Sequence, residues 1–365
     1  MGHGDVNPGG MRRIVVRYPE DPVEAVMEAD ALDAAQAIES LLVRGPLFGV
    51  AAQDAAGEAL GWRVVVAVAA GCPQEARDSL YSLLWFRAKD DAQDRAERRA
   101  LLAAVARLES ERVDELTLLG TRYRIVRGEE YTGMGRGGID QPRPSDPEPA
   151  VANWDRGARG PGIDGGLVLD PDAPVTPAQA AECLALRSLA YTGSRFPENV
   201  RDDSERALET HPDVMLLPAA FRVVERNDPG WKIGSSLHAS AHEARKTLDF
   251  ALTWLEPRER GLIPWDVHGP EVDARTVAAE GTDPAAGELA EYVEAADRLR
   301  AERANQVEVQ GTVHQICRAR RLLRWGPDGP EGPRPSDTNS HPPERIRPRL
   351  DEDGVVHYDH EGDGS

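Results

Sequence analysis

Cysteine is almost missing from this 365-residue sequence: only Cys72, Cys183 and Cys317 occur. They are odd in number, far apart and in no C-x-x-C spacing, which argues against a disulfide framework or a zinc knuckle and for a reducing compartment. No apolar run approaches the length of a membrane span, and the opening MGHGDVNPGGMRR has no apolar stretch of the signal-peptide kind. Positive charge is short too: 43 Lys plus Arg stand against 63 Asp plus Glu, a formal charge of -20, and that field repels phosphate backbones and anionic lipid. A cytoplasmic protein is expected, with no nucleic-acid or membrane partner, leaving a protein or a small ligand. G-x-S-x-G, Walker, H-E-x-x-H and EF-hand patterns are absent, as is the Gly-rich first turn of a dinucleotide fold, so no cofactor is expected.

What is present is internal similarity. PRPSD occurs at Pro142–Asp146 and again at Pro333–Asp337. Setting Gly120 against Gly311, an offset of 191, aligns GTRYRIVRGEEYTGMGRGGIDQPRPSD with GTVHQICRARRLLRWGPDGPEGPRPSD without a gap, and 11 of 27 columns are identical. Upstream at the same offset, Leu101, Val105 and Leu108 face Tyr292, Ala296 and Leu299, each trio at the i, i+4, i+7 spacing of one helix face. Further back, the stretch from Gly61 mirrors that from Gly230, and Glu75-Ala76-Arg77 meets Glu243-Ala244-Arg245. LFGVAAQ and AFRVVER precede these stretches as hairpin partners. Asp21-Pro22-Val23-Glu24 and Thr176-Pro177-Ala178-Gln179 both read as capped helix starts, and are matched as the openings of the two units.

These signals predict an α+β protein, a tandem duplication of a helix–hairpin–helix–helix–hairpin unit with antiparallel sheets covered by helices. The expected organisation is an extended or disordered 1–19, a first unit over 20–127, a Gly/Pro-rich linker over 128–174, a second unit over 175–325, and a Pro-rich, acidic, disordered tail over 326–365. The two PRPSD words read as stops that release the chain into linker and tail.

The stretches RGPLFGVAAQD, GCPQEARDSLYSLLWFRAKDDA and ERVDELTLLGTRYRIVRGEEYTG, with GPDGPEGPRPSD, resemble an uncharacterised actinobacterial family catalogued only as a domain of unknown function. The resemblance spans most of residues 15–345. It implies a bacterial cytoplasmic protein and brings no activity, cofactor or catalytic residue.

Chemistry-bearing residues are few. His238, His242 and Glu243 would form a metal site if residues 238–242 were already helical, since i, i+4 histidines share a face; two polar residues at a strand-to-helix corner are the alternative. Cys72, before Pro73, sits where a helix N-terminus could stabilise a thiolate, though small residues are common there. Cys317 and His314 take the places of Val126 and Tyr123, which points to packing. Arg122, Arg124 and Arg127, with Arg318, Arg320, Arg321 and Arg324, could grip an oxyanion or pair with the abundant acids. Trp62, Trp231, Trp85 and Trp254 stand at matching places and read as core anchors. The ending HYDHEGDGS could chelate metal weakly or be a solvated tail.

The expected function is therefore a non-catalytic cytoplasmic binding or accessory protein whose two repeats form a pseudo-symmetric pair with a groove. The alternative is an enzyme with a site between the repeats, a metal-dependent hydrolase using His238, His242 and Glu243. An acidic decoy for basic proteins is the third reading.

Overall fold

Asp21 opens the first helix: its carboxylate accepts from the N–H groups of Val23 and Glu24, and Pro22 takes a position where no N–H is needed. In the computed structural model, which describes residues 11–54, 61–158, 160–227, 230–267, 272–280 and 285–358, this helix is α1 (Pro22–Ala37). It is followed by the hairpin β1 (Ser40–Asp54) and β2 (Trp62–Ala70), helix α2 (Pro73–Phe86) with a π-helical turn at Arg87–Asp91, and helix α3 (Arg95–Ser110). Strands β3 (Glu115–Leu118), β4 (Thr121–Gly135) and β5 (Gly138–Ile139) close the first half; β6 (Val168–Leu169) stands in the connection.

The second half begins with α4 (Pro177–Leu186) and α5 (Glu198–Thr210), then β7 (Asp213–Asn227) and β8 (Gly230–Ile233). Helix α6 (Ala241–Phe250) runs through a π-helical turn, Ala251–Leu255, into α7 (Glu256–Glu259); α8 (Ala274–Glu280) and α9 (Ala286–Ala301) follow. Strands β9 (Gln306–Val309), β10 (Thr312–Gly326) and β11 (Gly329–Pro330) complete it, and a small separate hairpin, β12 (Arg349–Leu350) and β13 (Val356–His357), comes last.

All the ladders are antiparallel, and one eleven-stranded sheet carries the path β6-β2-β1-β4-β10-β7-β8. The halves join where β4 meets β10, in the register Tyr131–Arg320, Glu130–Arg321, Glu129–Leu322 and Gly128–Leu323. Helices cover one face. Leu101, Val105 and Leu108 of α3 pack with α2 against Phe48, Val50 and Ile125, while Tyr292, Ala296 and Leu299 of α9 pack with α6 against Phe221, Val223 and Ile316. The other face curls on itself, so that Leu47, Val64 and Val68 from one end meet Leu217, Ala220 and Leu323 from the other. Cys317 and His314 are buried on β10, and among the described residues no helix is long and apolar enough to cross a membrane.

Several expectations change. Residues 128–135, read as linker, continue β4, because Gly128, Glu129 and Glu130 find partners on β10 that their own segment does not reveal. The two capped starts are real and open α1 and α4, with Thr176 and Gln179 forming a reciprocal capping box. They touch each other, with the Ala178 N–H donating to Glu28 at 2.7 Å. A Cβ on Gly135 would collide with the carbonyl of Ala37, the last residue of α1, and one on Gly326 with that of Thr210, the last residue of α5. Much of 326–358, read as disordered tail, is packed on the first half: the Trp85 indole donates to the Pro348 carbonyl at 3.0 Å, and Leu350 joins the core beneath α2 and α3. Residues 1–10 and 359–365, the latter most of the acidic ending, lie outside the described residues.

Candidate functional site

Chain leaving each half crosses to the helices of the other, and the two PRPSD words make the crossing. Asp146, following β5, accepts from Nε of Arg318 on β10 with both carboxylate oxygens at 3.0 Å. Asp337, following β11, accepts from Nε of Arg127 on β4 at 3.0 Å. Each aspartate also caps its own turn, taking the N–H of Arg143 or Arg334 at 2.8 and 2.7 Å. The paths then diverge over opposite helices. Glu148 accepts from Arg245 of α6 at 2.8 Å, Asn339 accepts from Arg77 of α2 at 3.0 Å, and both arginines are buried. A buried guanidinium needs such partners, because its desolvation is offset only by close, well-aligned acceptors.

The basic strands expected at the ends of the halves thus pair with acids. Arg122 and Arg124 share Glu115 and Asp328; Arg127 lies between Glu129 and Asp337; Arg320 donates to Glu182; Arg321 holds Asp164 through two bonds. Arg324, whose pKa burial pushes down, donates to the carbonyls of Arg187 and Leu189 instead.

A cleft of about 510 Å³ opens at this junction. Trp62 of β2 and Arg122 of β4 line it from the first half, Trp325 of β10 and the Asp328–Gly329 turn line it from the second, and Arg12, Asp170 and Asp172 stand on its rim. The Trp62 ring is flanked by the guanidiniums of Arg122 and Arg124 at 5.4 and 5.2 Å, a cation–π arrangement that fixes the indole.

A second group of buried polar side chains lies at α7. His314 of β10 is 2 % exposed, with no hydrogen-bond partner for either ring nitrogen among the described residues, and its Nε2 lies 3.8 Å from Glu256. The Tyr292 hydroxyl of α9 is also buried without a partner among the described residues, and Arg260 stands over its ring. Burial, then the nearby Glu225 charge, pushes the Glu256 carboxyl up to about 7; burial pushes His314 down. In the first half, by contrast, Arg87 donates to the Tyr123 hydroxyl at 3.2 Å.

This geometry has a pH consequence. A carboxyl raised from 4.5 to about 7 disfavours folding above that range, because the unfolded chain ionises first; the penalty is absent below 4.5 and complete above 7. Glu256→Gln is therefore expected to stabilise the protein by up to about 3 kcal/mol at pH 8 and to do little at pH 4.5, measured by urea titration at the two values. Equal effects at both would show that Glu256 does not titrate in this way.

The proposed metal ligands are not brought together. Helix α6 starts at Ala241, capped by Ser240, so His238 sits outside it in extended backbone that pairs with Phe221. His242 bonds the Asn153 carbonyl at 3.0 Å and meets the Trp154 ring edge-on, and Glu243 lies beside Lys246. The helical spacing fails because Ser240 takes the cap position between the two histidines. Among the described residues no group of three or more His, Cys, Asp or Glu could hold a metal ion. Cys72 occupies the N-cap of α2, buried against the Ser340 hydroxyl at 3.3 Å, and burial pushes the Cys317 thiol up to about 11. Glu256, Asp164 and Asp328 escaped sequence reading, and Tyr292 was read only as part of an apolar helix face.

A family model described as a family of unknown function, DUF5954, matches residues 21–340, and the chain belongs to that family. No curated protein and no solved structure matches it.

Proposed function

We propose that this protein is a non-catalytic, cytoplasmic binding or accessory protein, built by tandem duplication, that holds a small ligand or peptide segment where its halves meet. What supports duplication is the recurrence of bonds at one offset. The Arg127 N–H donates to the Glu331 carbonyl and the Arg318 N–H to that of Asp140, both at 2.9 Å. The N–H groups of Ser145 and Ser336, also at that offset, donate to aspartates on helices, Asp30 of α1 and Asp203 of α5, whose own separation is different. Glu130 pairs in register with Arg321, its own counterpart at the offset of 191, which puts a near-twofold axis through that pair.

The observation that carries the binding reading is the cleft at Trp62, lined from both halves. Its arginines and aspartates pair with one another rather than with a nucleophile, an arrangement suited to holding a ligand and not to moving protons. Both signs of charge along its walls, from Arg12 and Arg122 and from Asp170, Asp172 and Asp328, suit a small ligand with charges of its own, such as an amino-acid derivative or short peptide.

A panel of amino acids and charged dipeptides, screened by thermal shift and followed by calorimetry, tests this. At least one member is expected to stabilise the full chain, with affinity falling about tenfold in Asp172→Asn, a rim substitution that leaves the core alone. A panel without effect, or a binder indifferent to Asp172→Asn, would overturn the reading.

A further inference from the structure

Helix α1 is unusual in what it leaves uncovered. Of its residues only Glu28 is buried, while Val23, Val26 and Met27 are 69, 63 and 46 % exposed. Ten of the 21 large apolar side chains standing exposed among the described residues lie in residues 11–42, and Val23, Val26 and Met27 fall on one face of α1 at the i, i+3, i+4 spacing. It is also held in place. Arg17 forks onto Glu24 at 2.7 and 3.0 Å, Val16 pairs with Val175, and the Glu28 bond to Ala178 ties α1 to α4, so Tyr18, 75 % exposed, and Val23 are presented on fixed backbone.

The charge around the patch selects the occupant. Residues 11–42 carry seven acids, Glu20, Asp21, Glu24, Glu28, Asp30, Asp33 and Glu39, against three arginines, Arg12, Arg13 and Arg17, and the helix itself has no Lys or Arg. A second copy of this chain, with its charge of -20, would set acid against acid, and an anionic bilayer would be repelled. An amphipathic helix with Leu-type residues on one face and Lys or Arg beside them satisfies both the apolar area and the field. We propose that the exposed face of α1, with Tyr18, docks a basic amphipathic helix of a partner protein. This surface is separate from the Trp62 cleft and does not depend on that cleft being occupied.

The test uses the full chain and a fluorescein-labelled amphipathic Leu/Lys helical peptide, followed by anisotropy. Saturable binding is expected, weakening as NaCl is raised and falling at least about tenfold in Val26→Glu and in Met27→Glu, both solvent-facing changes that should leave the circular dichroism unaltered. Binding should persist in Asp172→Asn, which separates this surface from the cleft, and hydrogen exchange over 20–37 should slow when peptide is bound. The proposal is overturned if the peptide does not bind, if both variants bind it unchanged, if a Leu/Glu peptide of equal length binds equally well, if anionic vesicles bind instead, or if sedimentation shows that the patch is buried in a dimer that Val26→Glu dissolves.

Discussion

A chain stopped after Ser336 is expected to lose about 5 kcal/mol or more of stability, enough to leave it largely unfolded at 37 °C against the 5–15 kcal/mol that folded proteins usually hold. The removed segment carries Asp337, an acceptor for Arg127, which is 2 % exposed and cannot regain water where it lies. Removing one partner of a buried pair costs about 3–5 kcal/mol, although Glu129 remains beside Arg127 and moderates the loss. The cut also takes the Asn339 acceptor from Arg77, the Pro348 carbonyl from the Trp85 indole and the Leu350 side chain from the core under α2 and α3. Uncovering that core adds about 2 kcal/mol. Urea titration followed by circular dichroism measures the effect, with Asp337→Asn as a milder companion. If the shortened chain melts like the intact one, the segment is the dispensable tail that its composition suggests.

That contrast marks where the sequence is readable. Helices and hairpins were legible because their information is local: the Asp21 and Thr176 caps, the i, i+4, i+7 faces of α3 and α9, and the Gly-Trp hairpins all keep their rules within a few residues. The pairing of β4 with β10 was half legible, since the offset of 191 aligns the strands but does not say that they lie side by side. The exchanged segments were illegible. After each PRPSD the sequence is polar and rich in proline, with no period, and its order comes from single acceptors meeting buried arginines on the other half, as Asp337 meets Arg127 at 210 positions' distance. Reading the prolines as stops was sound for the sheet and blind to the aspartate that ends the same word.

The candidate site shows the same limit. The Trp62 cleft needs Trp62, Arg122, Trp325 and Asp328 from strands and turns of both halves, and no local word announces it. The cluster beneath α7 joins Glu225, Glu256, Tyr292 and His314 from four elements, and Glu256 in EPRER looks like an ordinary surface acid. His238 and His242 failed for the opposite reason: their spacing is meaningful only inside a helix, and the Ser240 cap starts that helix too late.

Asp164 shows how much depends on one such residue. It lies in RGPGIDGG, where glycine-rich composition predicts a loop or linker, yet it holds Arg321 through bonds of 2.5 and 2.8 Å, and also accepts the Val68 N–H at 3.2 Å. Arg321 is 1 % exposed, and its remaining acceptors are the carbonyls of Val68 and Pro218. Asp164 has φ of 56°, a left-handed conformation that Asn tolerates nearly as well as Asp, so Asp164→Asn removes the charge without adding backbone strain. It is expected to cost about 3 kcal/mol, because a guanidinium is left buried without a counter-charge. Replacing the arginine as well, Asp164→Asn with Arg321→Met, should recover most of that loss, since an apolar side chain of similar length needs no acceptor there. A double variant as unstable as the sum of its single changes would mean that the pair is not coupled, and that the curled sheet is closed by the apolar contacts of Val68 and Leu323 alone.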